Sequence, residues 1–180
     1  MLSVHTGLRQ GESLGLKWAD VDLEQGTLQV RRTLSTAKGG PRFTEPKTAR
    51  SRRRIRLTAE AVGALKRHRM IQNKKRLKAG DLWQDADLVF CSLVGTPLNH
   101  NNVINRLFNP LLKRAALPTS TRFHDMRHTC ATLLLSRNLN PEKVQKLLGH
   151  SSITTTLDTY SHDLPDMQDQ VAAEMEGALV

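Results

Sequence analysis

At 180 residues and 38% hydrophobic, the chain is long enough for one domain with its own core, and it shows neither a signal-peptide pattern nor a run near the roughly twenty apolar residues of a membrane helix. Cys91 and Cys130 form no closely spaced pair, so neither a disulfide framework nor a four-cysteine zinc site is indicated. The net charge of +10 is unevenly placed: residues 163–180 hold five acidic side chains and no lysine or arginine, leaving 27 basic against 12 acidic residues in the first 162.

So basic a body fits a polyanionic partner, nucleic acid above all, with a solubilising or ribosome-associated surface as the plainer alternative. A soluble chain of the cytoplasm, lying with DNA, is the expectation. Thr6 suits the cap of a short helix over Leu8–Leu16, on which Arg9 and Glu12 share a face. Taken alone, these two are a surface ion pair worth little. Gly26 marks a turn, and Thr27–Arg31 alternates apolar with polar residues as a half-buried strand does. Lys38-Gly39-Gly40-Pro41 reads as a loop. Glu45–Leu57 reads as a turn feeding a second strand, with Arg52, Arg54 and Arg56 on one side and Arg53, Ile55 and Leu57 on the other. Charge along such an edge, by itself, only blocks edge pairing.

Thr58 caps a helix with Val62 and Leu65 inward and a solvated basic run from Lys66 to Arg76. Asp87–Phe90 reads as a short extended segment. Asn99 opens a further helix through Val103 and Leu107, and Asn109-Pro110 predicts a break or kink before Leu111. His124 and Arg127, three apart, share the face of a helix whose Ala131, Leu134 and Leu135 can bury, with Cys130 as packing. Asn140 suits an N-cap, Pro141 the first helical position and Gly149 a C-terminal stop, with Val144, Leu147 and Leu148 as the apolar face between. His150 then sits just past a helix end, and Tyr160, the only tyrosine, follows ten residues later. Guanidinium, imidazole and phenol in one stretch suit attack on a phosphodiester: cationic donors favour phenolate and stabilise charge spread over phosphorus.

The ordered set His124-x-x-Arg127, Leu148-Gly149-His150 and Tyr160, with Thr129, Ala131-Thr132, Val144-Gln145 and Thr154–Thr156, resembles the C-terminal signature of the tyrosine recombinases, the phage integrase family. Thr6-Gly7-Leu8-Arg9-x-Gly11-Glu12 and the following Trp18-x-Asp20-Val21-Asp22 are similar to the first arginine motif of that family. The resemblance implies a mixed α/β catalytic-domain fold, mainly α-helical with a small antiparallel sheet near the N-terminus, as a single domain over 1–180. It also implies that an upstream DNA-clamping domain and leading helix are absent, and that 163–180 is an acidic tail or helix.

The function it implies is site-specific DNA recombination of the integrase type, by transesterification through a 3′-phosphotyrosyl intermediate. Tyr160 would be the nucleophile, Arg9 and Arg127 the phosphate clamps, and His124 and His150 hydrogen-bond donors. Lys47 would be the general acid, with Lys38 as second choice, and Glu12 a supporting acid. Lys38, Arg50, Arg52 and Arg54 are candidate DNA contacts. The partner would be double-stranded DNA, bound as a homotetramer by a chain monomeric in isolation, with no cofactor and no metal. His124-Asp125-x-x-His128 imitates a zinc-protease pattern, but its acid is the shorter aspartate and Arg127 would place a cation beside the metal. The rival from a different class is a non-catalytic basic DNA-binding module, a truncated integrase or a helix-turn-helix binder around Asn138.

Overall fold

Two short helices parted by a glycine open the computed structural model, which describes residues 1–37, 40–45, 51–154 and 175–176. Helix α1 (Leu2–Thr6) closes at Gly7 with φ 64°, and α2 (Gln10–Leu14) follows from Arg9. A Cβ on Gly7 would lie 2.4 Å from Leu148 Cδ2, so the absence of a side chain lets this junction touch the far end of the chain. The helix expected over Leu8–Leu16 is present, shorter, as α2, but Thr6 is not its cap. Thr6 is buried and its hydroxyl donates to the Leu2 carbonyl at 2.7 Å, inside α1. The second helix is started instead by Glu12, whose carboxylate accepts the Arg9 N–H at 2.9 Å.

Strands β1 (Val21–Asp22) and β2 (Thr27–Val30) come next, then a separate hairpin of β3 (Thr33–Ala37) and β4 (Gly40–Thr44). Strand β5 (Arg53–Arg56) returns to pair with β2, giving an antiparallel sheet in the order β1-β2-β5 with Leu28 opposite Ile55 and Val30 opposite Arg53. Gly40 and Pro41, expected in a loop, are strand residues, because β3 offers them a partner row that local composition does not reveal. In a two-stranded hairpin the missing N–H of Pro41 interrupts no interior ladder.

Thr58 Oγ1 accepts from the Ala61 N–H at 3.2 Å and starts α3 (Ala59–Ala79). Ala61 and Leu65 on its inner face close a core with Leu28, Ile55, Leu57 and Val89. Each of the large side chains buried there contributes about 1.5–3 kcal/mol. Helix α4 (His100–Val103) runs through a π-helical turn at Ile104–Phe108 into α5 (Asn109–Arg114). Of the break or kink expected before Leu111, the break does not occur: Pro110 falls in the first turn of α5, directly after the π-helical turn.

Helices α6 (Asp125–Leu135) and α7 (Pro141–Leu148) pack on each other through Ala131, Leu135, Val144 and Leu148. The ends of α7 match the sequence reading, with Asn140 Oδ1 accepting from Glu142 N–H at 2.8 Å and Gly149 left-handed at φ 67°. Helix α1 packs on α6, which brings the start of the chain against its late helices. Among the described residues no helix is long and apolar enough to cross a membrane.

Candidate active site

The junction of α1 and α2 is built on one buried carboxylate. Glu12, 4% exposed, accepts at Oε1 from Arg9 Nη1 (2.9 Å) and Arg53 Nη1 (3.1 Å), and at Oε2 from Arg9 N–H and Arg53 Nη2, both at 2.9 Å. Burial alone would raise its pKa. The hydrogen bonds and charge of Arg53, followed by those of Arg9, outweigh it and hold the carboxyl below its ordinary range. Arg9 is thereby fixed while remaining 38% exposed, open to an incoming anion.

Arg127, in the first turn of α6, is a buried cation at 2% exposure. Its Nη1 donates to the Gly7 carbonyl and its Nη2 to the Leu148 carbonyl, each at 2.6 Å. Burying a guanidinium is tolerable only with such strong acceptors, and the second is the negative end of a helix dipole.

His150 follows Gly149 directly and is held by its N–H to the Gln145 carbonyl at 3.2 Å. Burial, then the charges of Arg127, Arg9, Arg53 and His124, push its pKa down to about 4. His124 lies at the start of α6 with its ring 4.8 Å from that of His128, edge to face. Its pKa is lowered too, by burial first and then by His128, Arg127, Arg9 and Arg122. Both imidazoles are therefore neutral at pH 7, each with one N–H to donate. The same arginines, 9 and 127, act on both histidines, so side chains from three separate stretches of the sequence lie near one another.

Arg9 and His124 also line an open cleft of about 610 Å³ with Thr33, Ser35, His100 and Asn101. A second groove of about 560 Å³ is bordered by Arg31, Arg32, Arg52 and Arg54 beside β2 and β4. There Arg52 pairs with Glu45, Arg32 with the buried Asp20, and Arg54 Nη2 donates to Thr27 Oγ1 at 3.2 Å. Asp125 of the zinc-like pattern bonds Arg122 at 3.1 Å. Among the described residues no three His, Cys, Asp or Glu side chains cluster as a metal site would require.

Arg9, Glu12, His124, Arg127 and His150 are thus brought together, while Arg52 and Arg54 lie on the neighbouring groove. Lys47, Tyr160, Lys38 and Arg50 lie outside the described residues. One member of the constellation was not singled out from sequence: Arg53, whose side chain is only 6% exposed. The signal was there, since strand alternation set this arginine on the same side as Ile55 and Leu57, where a cation needs a buried partner.

Known proteins agree with this architecture. The profile of the phage integrase family matches residues 1–167. A XerC-like tyrosine recombinase of Caldanaerobacter subterraneus subsp. tengcongensis is 36% identical over 177 residues, covering 92% of this chain and 45% of the relative. Among solved structures, the Tn1549 transposon integrase in complex with a circular intermediate DNA superposes with TM-score 0.79 at 29% identity, covering 98% of this chain and 56% of that one. The XerA recombinase does so with TM-score 0.68 at 27% identity, over 97% and 55%. The chain spans about half the length of the curated relatives it matches. With its mainly helical α/β architecture and small antiparallel sheet, it has the tyrosine recombinase catalytic-domain fold, and it belongs to the phage integrase family.

Proposed function

We propose that this chain catalyses site-specific DNA strand cleavage and rejoining as an integrase-type tyrosine recombinase. The observation that carries the reading is the convergence of Arg9, Arg127, His124 and His150, two guanidiniums and two neutral imidazoles with a single buried carboxylate behind them. Such a set binds a phosphate diester and stabilises the extra charge of a pentacoordinate phosphorus, an effect worth several kcal/mol at comparable sites. Arg9 and Arg127 hold the non-bridging oxygens, His124 and His150 donate to the phosphate, and His124 also assists proton transfer at the nucleophile. Tyr160 attacks phosphorus, a 3′-phosphotyrosyl bond forms as the bond to the 5′-oxygen breaks, and Lys47 supplies the proton to that oxygen. Attack by a second 5′-hydroxyl reverses the step without ATP.

The basic groove bearing Arg52 and Arg54 supports a double-stranded DNA partner, as do relatives whose solved structures contain DNA. Assembly as a homotetramer on DNA, with the isolated chain monomeric, and residence with DNA in the cytoplasm complete the reading. The chain works as one catalytic domain, with 163–180 as an acidic tail or helix.

The test uses nicked suicide duplexes built on the sequence that the chain enriches from a randomised duplex library. A covalent protein–DNA adduct is expected, lost in Tyr160→Phe with DNA affinity retained. Salt-sensitive binding without any adduct would instead favour a bare DNA-binding module.

A further inference from the structure

Arg53 makes more contacts than an ion pair requires. Its Nε donates to the Leu147 carbonyl at 2.6 Å, its Nη1 to Glu12 Oε1 at 3.1 Å and the Ser51 carbonyl at 3.2 Å, and its Nη2 to Glu12 Oε2 at 2.9 Å. Two of those acceptors lead into the proposed active site by different routes. The Glu12 oxygens it grips are the same two that hold the N–H and Nη1 of Arg9. Leu147 lies in the last turn of α7, one residue before the carbonyl that Arg127 binds and three before His150. A helix end leaves its last carbonyls without internal partners, and here two guanidiniums take adjacent ones.

We propose that Arg53 is a positioning residue, which sets the separation between Arg9 and His150 by clamping Glu12 and the C-terminal turn of α7 to strand β5. The proposal deepens the recombinase reading and rests on it for its kinetic consequence. A planar fork suits this task because it holds bidentate geometry toward the carboxylate while its Nε points elsewhere. Lysine keeps the charge, but its single ammonium cannot span Leu147 and both oxygens of Glu12. A purely structural ion pair predicts that lysine suffices. A positioning role predicts that it does not.

The experiment compares the full chain with Arg53→Lys in two readouts. Side-chain ¹⁵N NMR of the free protein follows Arg9 Nε and the His150 ring, with the Trp83 indole signal as a reference for an intact fold. Single-turnover adduct formation on the nicked duplexes follows chemistry apart from binding. Arg53→Lys is expected to displace or broaden the Arg9 and His150 signals, leave Trp83 in place, and slow adduct formation by about 10- to 100-fold with DNA affinity held within about threefold. Adding Glu12→Gln should slow it by less than about threefold more, because both changes act on Arg9 through one carboxylate. Unmoved Arg9 and His150 signals, or an unchanged adduct rate, would overturn the proposal. Absence of adduct with the unsubstituted chain would sink the recombinase reading, while the NMR comparison would still decide the positioning role. If Arg53→Lys does not fold, Arg53→Gln with Glu12→Gln removes the buried charge together with its partner, and is read by the same signals.

Discussion

Arg127 on α6 donates from Nη1 to the carbonyl of Gly7 at 2.6 Å, across a sequence separation of 120 residues. This bond, with its companion to Leu148, joins the α1 end, the start of α6 and the end of α7 around one buried cation. Replacing it by Arg127→Met leaves two buried carbonyls unsatisfied, and a stability loss of about 2–4 kcal/mol is expected. Arg127→Lys should recover only part of that, since a single ammonium does not reproduce the fork. Urea unfolding checks both, and a loss below about 0.5 kcal/mol in Arg127→Met would contradict the account.

Gly7 is required twice over, by its positive φ and by the side chain it faces. Gly7→Ala would set a Cβ against Leu148, and about 1–3 kcal/mol of destabilisation follows. Leu148→Ala alone opens a cavity at a fully buried position and should cost about 2–5 kcal/mol. Combined, the two should cost about 1 kcal/mol less than their sum, because the shortened side chain removes the clash. Strict additivity in a double-mutant cycle would show that the clash is relieved some other way.

Glu12 is held by two arginines, and taking away its charge strands both. Glu12→Gln is expected to destabilise the fold by about 3 kcal/mol in denaturant titrations. Adduct formation should fall with it even where the protein is fully folded, since Arg9 loses its anchor. Wild-type rates in folded Glu12→Gln would remove Glu12 from the site.

Acidification acts through groups with opposite charge types but the same sign of effect. The folded-state pKa of His150, about 4, lies below the ordinary histidine value near 6.5, so the unfolded chain takes up this proton first as pH falls. Stability from His150 is complete above about 6.5 and is lost between there and about 4. His124, also depressed, adds to the same limb. Glu12 contributes above its unfolded value near 4.5 and fails only as pH drops through its lower folded pKa. His150→Gln should therefore flatten the upper part of the stability–pH curve and leave the lower part steep. Urea midpoints followed through both windows would show it, and an unchanged upper limb would refute the assignment.

Local sequence carried most of the late elements. Asn140, Pro141 and Gly149 bound α7 as read, because capping depends on side chains within a few residues of the helix end. The Thr58 cap and the inward Leu65 were equally local. Where a distant strand or helix decided the outcome, the reading failed. Gly40 and Pro41 became a strand through pairing with β3, and Thr6, expected as the cap of the helix after Leu8, belongs instead to a separate helix α1 that ends at Gly7 against Leu148. Before Leu111, where the sequence allows a break or a kink, the chain holds a π-helical turn and no break.

The residue types and order at positions 9, 12, 124, 127, 150 and 160 were enough to name the family and to expect a phosphate-handling site, since a chemistry needs particular functional groups whatever the fold. What these residues do to one another was settled only in three dimensions. Arg53 became the shared partner of Glu12 and Leu147, and His150 came within the field of three arginines, because hydrogen bonds and charge interactions depend on distances that chain folding alone sets.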